Sequence, residues 1–326
     1  LPGLQRGRQL YHRRGRVAVA ALMASLVTER VPVSLDGERV DKIVAVLAGV
    51  SRAEARAMVD AGQVLGETGP LAAKERLSHG SMVSFPEPVA RPAMEAEEVE
   101  FGVVYVDDDL VVVDKPAGVV VHPGAGRAGG TLAAGLLHRF PEIEGVGQEG
   151  RWGIVHRLDR ETSGLLVVAR SSEAYTALVR AMRRRAVVRE YVTMVQGTFS
   201  IPRGTVDAPI GRDPHHPTRR AMLSQGRPAV THYRRRVEWD PPGVALLEVT
   251  LETGRTHQIR VHLAGIGHPV LGDRTYGGRD PVPVPRLFLH AARLELDHPT
   301  SGEPLAFDSP MPPDLDAVVD RLNAER

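Results

Sequence analysis

The clearest hydrophobic pattern begins at Phe101. Two apolar runs, 103–106 and 110–113, flank the aspartates Asp107, Asp108 and Asp109, which predicts a β-hairpin. Residues 164–170, 189–197, 245–252 and 286–296 are apolar-rich and predict further strands. Between them, Glu173 to Arg185 has helical spacing, with Ala174, Leu178, Val179 and Met182 on one side. Strands and helices do not alternate regularly, so a doubly wound parallel sheet is disfavoured. The expected fold class is α+β with a mixed, largely antiparallel sheet. No repeat of 20–50 residues is present.

Upstream of Phe101 the texture changes. Residues 31–88 form a candidate compact module with helical periodicity. Ser51 is placed to cap a helix from Arg52 to Asp60, Glu54 completes a capping box, and Gly62 ends the helix. Residues 89–100 read as a linker, proline followed by clustered glutamates. Residues 1–30 read as an N-terminal extension without stable structure, the patterned chain starting near Met23. Its apolar stretch, Val17 to Val27, follows several arginines and superficially resembles a signal peptide, but its 11 residues are too few to span a bilayer. The four segments are thus 1–30, 31–88, 89–100 and a main domain over 101–326.

Net charge is +1, which at first argues against a nucleic-acid partner. The distribution reverses that argument. Residues 151–240 hold 17 basic and 8 acidic side chains, whereas 101–150 hold 3 and 7. Of the 41 basic residues, 38 are arginines. Cysteine is absent, which removes disulfides, thiol nucleophiles and cysteine-ligated metals and allows a cytoplasmic setting. The spacing of His257 and His262 does not fit a zinc helix, so no metal is expected.

The most informative stretch is Gly153 to Leu166. A charged turn with Arg157, Asp159 and Arg160 leads into a wholly apolar strand. Arginines beside a carboxylate keep it ionised, which suits nucleophilic or electrostatic work. An ordinary surface salt bridge before a core strand has the same local pattern. In the N-terminal module, Arg39, Lys42, Arg52 and Arg56 make a candidate basic face for phosphates. Arg183, Arg184 and Arg185 form a second basic run, and Arg234 to Arg236 a third.

The spelling His156-Arg157-Leu158-Asp159, followed by Thr162-Ser163-Gly164-Leu165-Leu166, resembles the signature of the RluA/RluD family of RNA pseudouridine synthases. Four more motifs follow that family's order: Asp114-Lys115-Pro116-Ala117-Gly118 with Val121-His122-Pro123-Gly124, Arg189-Glu190-Tyr191, Thr253 to Leu263, and Gly267 to Asp273 with Leu289-His290-Ala291. The resemblance covers about residues 31–315. The order Arg39, Asp41-Lys42, Ser51-Arg52, Ala61-Gly62 and Val64 resembles a small RNA-binding module of the ribosomal-protein-S-four type; Val64 to Gly69 and Gly80-Ser81 depart from it.

The resemblance implies a pseudouridine synthase catalytic domain that isomerises uridine in RNA, with Asp159 at the ribose and a flipped-out base. It implies that Tyr191 stacks on uracil or moves a proton, that Arg260 pairs bidentately with Asp159, and that Arg157 fills the space left by the base. Leu158 and Ile259 would line the uracil pocket, with His156 and Thr162 beside them. No cofactor is implied. The implied partner is large-subunit (23S) ribosomal RNA or a ribosomal precursor; no membrane is involved, and a monomer is the expectation. Two other readings stay open on sequence: a non-catalytic RNA-binding ribosome-assembly factor of the same fold, and a hydrolase using Asp159 with Glu161 as the near second carboxylate.

Overall fold

The computed structural model describes residues 26–50, 52–87, 94–122, 129–216 and 218–326. Met23, the Ser51 cap, the first part of the 89–100 linker, Pro123-Gly124 and Pro217 lie outside the described residues. The chain divides into two units near Pro92, within the segment read as linker.

In the first unit, strand β1 (Leu26–Arg30) pairs antiparallel with β6 (Met82–Pro86). This corrects the 1–30 boundary, since β1 stands inside the segment assigned to an unstructured extension. Only Leu26 and Val27 of β1 are apolar, so the strand has no hydrophobic period and gains its order from the edge of β6. Helices α1 (Val40–Leu47) and α2 (Arg52–Asp60) turn Val40, Ile43, Val44, Ala55 and Val59 inward against Val83 and Phe85. Gly62 ends α2 at φ +70, a conformation costly for a residue with a Cβ. Four two-residue strands complete the unit: β2 (Glu38–Arg39), β3 (Leu65–Gly66), β4 (Gly69–Pro70) and β5 (Arg76–Leu77).

The second unit is built on a nine-stranded sheet. The predicted hairpin forms β7 (Gly102–Val106) and β8 (Leu110–Lys115). The other predicted strands are β9 (Ser163–Ala169), β10 (Val188–Gln196), β15 (Val244–Leu251) and β16 (Leu289–Asp297). Strands β11 (Arg203–Asp207), β14 (Val230–Trp239) and β17 (Pro304–Asp308) complete the sheet. A separate hairpin pairs β12 (Ile210–Arg212) with β13 (Arg220–Met222). The sheet order is β11-β14-β15-β10-β16-β9-β8-β7, with β17 paired to β16. The β9–β16 pair is parallel and the other sheet pairs are antiparallel, giving the α+β class expected from sequence.

Both faces of the sheet are covered. Along β8 and β9, Val111, Val113, Leu166 and Val168 pack toward helix α3 (Leu132–Arg139), while Leu110, Val112, Leu165 and Val167 pack toward α4 (Ser172–Arg183). A strand buried on both faces has no polar alternation, which explains the continuous apolar run after Asp159. Gly164 (φ +111) marks the start of that run. A Cβ there would stand 2.2 Å from the Ala291 carbonyl oxygen, so only glycine lets β16 pair beside it. Helix α5 (Gln258–Gly265) and the C-terminal helix α6 (Pro313–Ala324) complete the unit.

Candidate active site

The loop between Gly153 and β9 carries Asp159 and is tied down at several points. The Thr162 amide donates to the Asp159 carbonyl at 3.1 Å, closing a turn. His156 Nε2 accepts the Val167 amide at 3.1 Å. Lys115 is fully buried at the end of β8 and donates to the carbonyls of Pro116, Val119 and Arg160 at 2.7, 2.9 and 3.2 Å. The Arg160 carbonyl also accepts the Gly118 amide at 2.8 Å. Lys115 and Arg160, 45 residues apart in the chain, thus join the motif around Lys115 and the motif around Asp159 into one hydrogen-bonded substructure. Burial pushes the Lys115 ammonium down to about 8 despite the nearby carboxylates of Glu161 and Asp159.

Asp159 lies in a cleft of about 690 Å³. Tyr191, Arg260, Arg157, Leu158, Ile259, His156 and Thr162 all line the same cleft, so the structure brings together every residue singled out for the central site. Leu158, Ile259 and Tyr191 are buried and give the cleft an apolar floor. Burial pushes the Tyr191 phenol up, keeping it neutral. Arg157 is exposed, with no hydrogen-bond or ion-pair partner among the described residues.

Arg260 corrects one expectation. It does not pair bidentately with Asp159. Its Nη1 donates to Asp159 Oδ2 at 3.1 Å, while Nε and Nη2 bind the two oxygens of Asp273 at 2.7 and 2.9 Å. The fork geometry is therefore spent on Asp273. Burial would raise the Asp273 carboxyl, but Arg260 and the amides of Thr275 and Tyr276 outweigh it and hold the group below the usual range. Asp273 is the residue that sequence reasoning missed. Its motif was noted, but no local pattern shows that a second acid shares Arg260.

His257 was also not selected. It begins α5 in the left-handed region, at φ +59. Its Nε2 stands 4.0 Å from Asp159 Oδ2, and its Nδ1 lies 2.8 Å from the Tyr276 hydroxyl. That hydroxyl accepts the Arg220 amide at 2.8 Å, leaving its hydrogen available to Nδ1. In that arrangement Nε2 carries the ring proton and faces Asp159. Burial lowers the His257 pKa, favouring the neutral ring. The loop before α5 is fixed by buried Gln258, which donates to Val230 and Thr231 and accepts from Thr253 and the Arg255 amide.

The basic runs separate on inspection. Arg183 and Arg185 line the cleft; Arg184 is exposed but does not line it. Arg185 is paired with Glu252. Arg151, Arg227 and Arg255 join the lining from other loops. The third run sits on β14 and is neutralised in place: Arg234 and Arg236 both bind Glu248, and Arg235 binds Glu238. In the first unit, Arg39 and Arg52 share buried Asp41, Lys42 binds Glu38, and Arg56 binds Asp60. The basic face predicted there is a set of cation–carboxylate pairs. Glu161, the second acid of the hydrolase reading, pairs with Arg160 and does not line the cleft. Glu252, the other carboxylate in the lining, is held by Arg185 and His232.

Asp159, held by Arg260, ringed by further arginines and floored by apolar side chains, defines an enzyme site for a polyanion. Residues 109–265 match the family model described as RNA pseudouridylate synthase. The chain is 40% identical over 311 residues to the ribosomal large subunit pseudouridine synthase D of Pseudomonas aeruginosa, covering 91% of this chain and 95% of that protein. It is 39% identical over 288 residues to an uncharacterized RNA pseudouridine synthase of Bacillus subtilis, covering 87% and 94%. Among solved structures, human RNA pseudouridylate synthase domain containing 1 matches with a TM-score of 0.52 and 29% identity, over 72% of this chain and 98% of that one. The chain belongs to the RNA pseudouridine synthase family. The family model begins at residue 109, so it does not speak to the likeness of residues 31–88 to an RNA-binding module.

Proposed function

We propose that this protein converts specific uridines of large-subunit ribosomal RNA, or of its precursor, to pseudouridine. The observation that carries the proposal is Asp159 held by Arg260, which Asp273 fixes from its other side, in the arginine-lined cleft that Tyr191 also lines. Uridine and pseudouridine are isomers, so the conversion needs no oxidant, reductant or group donor. Asp159 has one oxygen taken by Arg260 and acts at the ribose with the other. Tyr191, neutral and largely buried, offers a ring for the uracil and a hydroxyl for proton transfer. Leu158, Ile259, His156 and Thr162 shape the base pocket, and unpaired Arg157 fills the space that the flipped base leaves. Arg183, Arg184 and Arg185 lead the RNA backbone toward the cleft. Arg39, Lys42, Arg52 and Arg56 contribute a weaker contact, since each already holds a carboxylate.

A monomer acting in the cytoplasm fits this reading. Among the described residues no helix is long and apolar enough to cross a membrane. The hydrolase reading lacks a second free carboxylate in the cleft lining, and the binding-only reading leaves the Asp159–Arg260–Asp273 cluster without a use. The test is ribosomal RNA from a deletion strain, probed with a carbodiimide for lost pseudouridine. The expected result is a missing site restored by the wild-type gene and not by Asp159→Asn. No missing site in ribosomal or transfer RNA would sink the proposal.

A further inference from the structure

Arg189 stands on β10 two residues before Tyr191, so both side chains project from the same face of the strand. Both line the cleft, and each is only 5% exposed. A guanidinium carries five N–H donors. Arg189 makes one hydrogen bond, Nη2 to the Leu251 carbonyl at 3.3 Å, and its buried Nε has no partner among the described residues. No carboxylate among the described residues pairs with it. Arg260, the other buried arginine of the cleft, is shared by two carboxylates. A buried cation without a counter-charge is costly, and an apolar side chain of similar volume would fill the same space without that cost. Gly254 shows how closely the guanidinium is enclosed: a Cβ there would stand 2.8 Å from Arg189 Nη1.

We propose that Arg189 receives the negative charge that the target pyrimidine carries midway through the isomerisation. The inference rests on the function proposed above. When the C1′–N1 bond breaks, its electron pair leaves with the base and spreads onto the ring nitrogens and the two carbonyl oxygens. Asp159 compensates the sugar, by bonding to C1′ or by taking a proton from C2′. When C1′ bonds to C5, the bond from Asp159 to C1′ breaks or the proton returns to C2′; the C5 proton then leaves and a proton is gained at N1, so product and substrate have the same composition. Arg260 is already committed to Asp159 and Asp273. Arg157 and Arg183 are exposed, where water and salt screen them. Arg189 alone among the described cleft arginines is both buried and uncommitted, and a preorganised donor in a dry site acts most strongly on developing charge.

The experiment measures single-turnover pseudouridine formation and RNA affinity, using full-length protein and a ribosomal RNA fragment that contains the mapped uridine. Arg189→Met is expected to bind RNA as wild type does, with an unchanged salt slope, and to react about 10²–10³-fold more slowly. Arg189→Lys is expected to recover part of the rate. Gly254→Ala, which displaces the guanidinium without removing its charge, is expected to slow the reaction less; it serves if Arg189→Met does not fold. The Arg189→Met defect should narrow on 5-fluorouridine RNA, whose base is the more stable anion. Wild-type rates in both Arg189→Met and Gly254→Ala would overturn the inference. So would weaker binding with a shallower salt slope at an unchanged saturated rate, which would assign Arg189 to a phosphate instead. A wild-type protein inactive on every ribosomal RNA fragment would overturn the functional reading as well, and so is distinguishable.

Discussion

The two units of this chain use the same residue types in opposite ways. In residues 26–87, the basic side chains of the predicted RNA face are all spent: Arg39 and Arg52 on Asp41, Lys42 on Glu38, Arg56 on Asp60. In the cleft of the second unit, Arg157 and Arg183 have no carboxylate partner among the described residues, and neither has buried Arg189. Both carry arginines, so the presence of a cation alone does not distinguish the two. What distinguishes them is whether each cation already has an anion. Exposed pairs such as Arg56–Asp60 add little stability and little pull on a phosphate.

The sharpest break between the units is a carboxylate exchange. Asp159→Asn should lower single-turnover pseudouridine formation by about 10³-fold or more, while RNA binding persists. Asp41→Asn, which also removes an arginine-paired acid, should leave the rate of the bound complex at wild type. If both variants lose activity alike, the contrast fails.

Asp273→Asn comes next. It strips the buried side of Arg260 of its two-pronged partner, whose side chain is fully shielded from solvent. Breaking such a pair should cost about 3 kcal/mol of stability. Both tryptophans, Trp152 and Trp239, lie in the second unit, so their fluorescence reports its unfolding directly. A loss below about 1 kcal/mol would show that Asp159 alone suffices to hold Arg260.

Removing free cations should weaken RNA binding. Arg183→Ala combined with Arg184→Ala should lower the magnitude of the log affinity–log salt slope by roughly 1.4, about 0.7 per single-stranded phosphate contact. Arg39→Ala combined with Arg52→Ala should leave the slope close to wild type. Filter binding over a salt series measures both. Equal losses would place the N-terminal pairs on the RNA after all.

Stability should also depend on pH. Burial, with Arg157 and Arg151 nearby, pushes His122 down to about 4. Below the ordinary imidazole value of about 6.5 the unfolded ring takes a proton that the folded ring refuses. Stability is therefore lost as pH falls from about 6.5 toward 4, with a slope of at most about 1.4 kcal/mol per pH unit from this group. His122→Gln should flatten that part of the curve. An unchanged curve would exclude His122 as a source of acid lability.

Much of the second unit was legible because its strands are long and apolar. The hairpin 102–115 and strands β9, β10, β15 and β16 announce themselves by composition. Helix α5 did not. It is buried on all sides, with Gln258, Arg260 and His262 inside, so its sequence shows no apolar stripe. Strand β14 was hidden by its arginine run, whose members pair with glutamates. The two-residue strands of the first unit are too short for any period to register. At the site, each residue chosen for the centre was legible because it stands in a short contiguous motif, and the fold brings those separate motifs to one cleft. Asp273, His257 and the solitude of Arg189 depend on which distant segments meet, and spacing along the chain does not encode that.

The position of β16 bears on how the chain is made. In the sheet it lies between β9 and β10, although it is among the last strands to be synthesised. Until residues 289–297 leave the ribosome, β9 and β10 each present an open edge, and the sheet exists as two halves. Gly164 meets Ala291 only at that moment. The arginine-lined loops are thus made well before the strand that joins them, and a ribosome stalled before residue 289 would hold two sticky half-sheets.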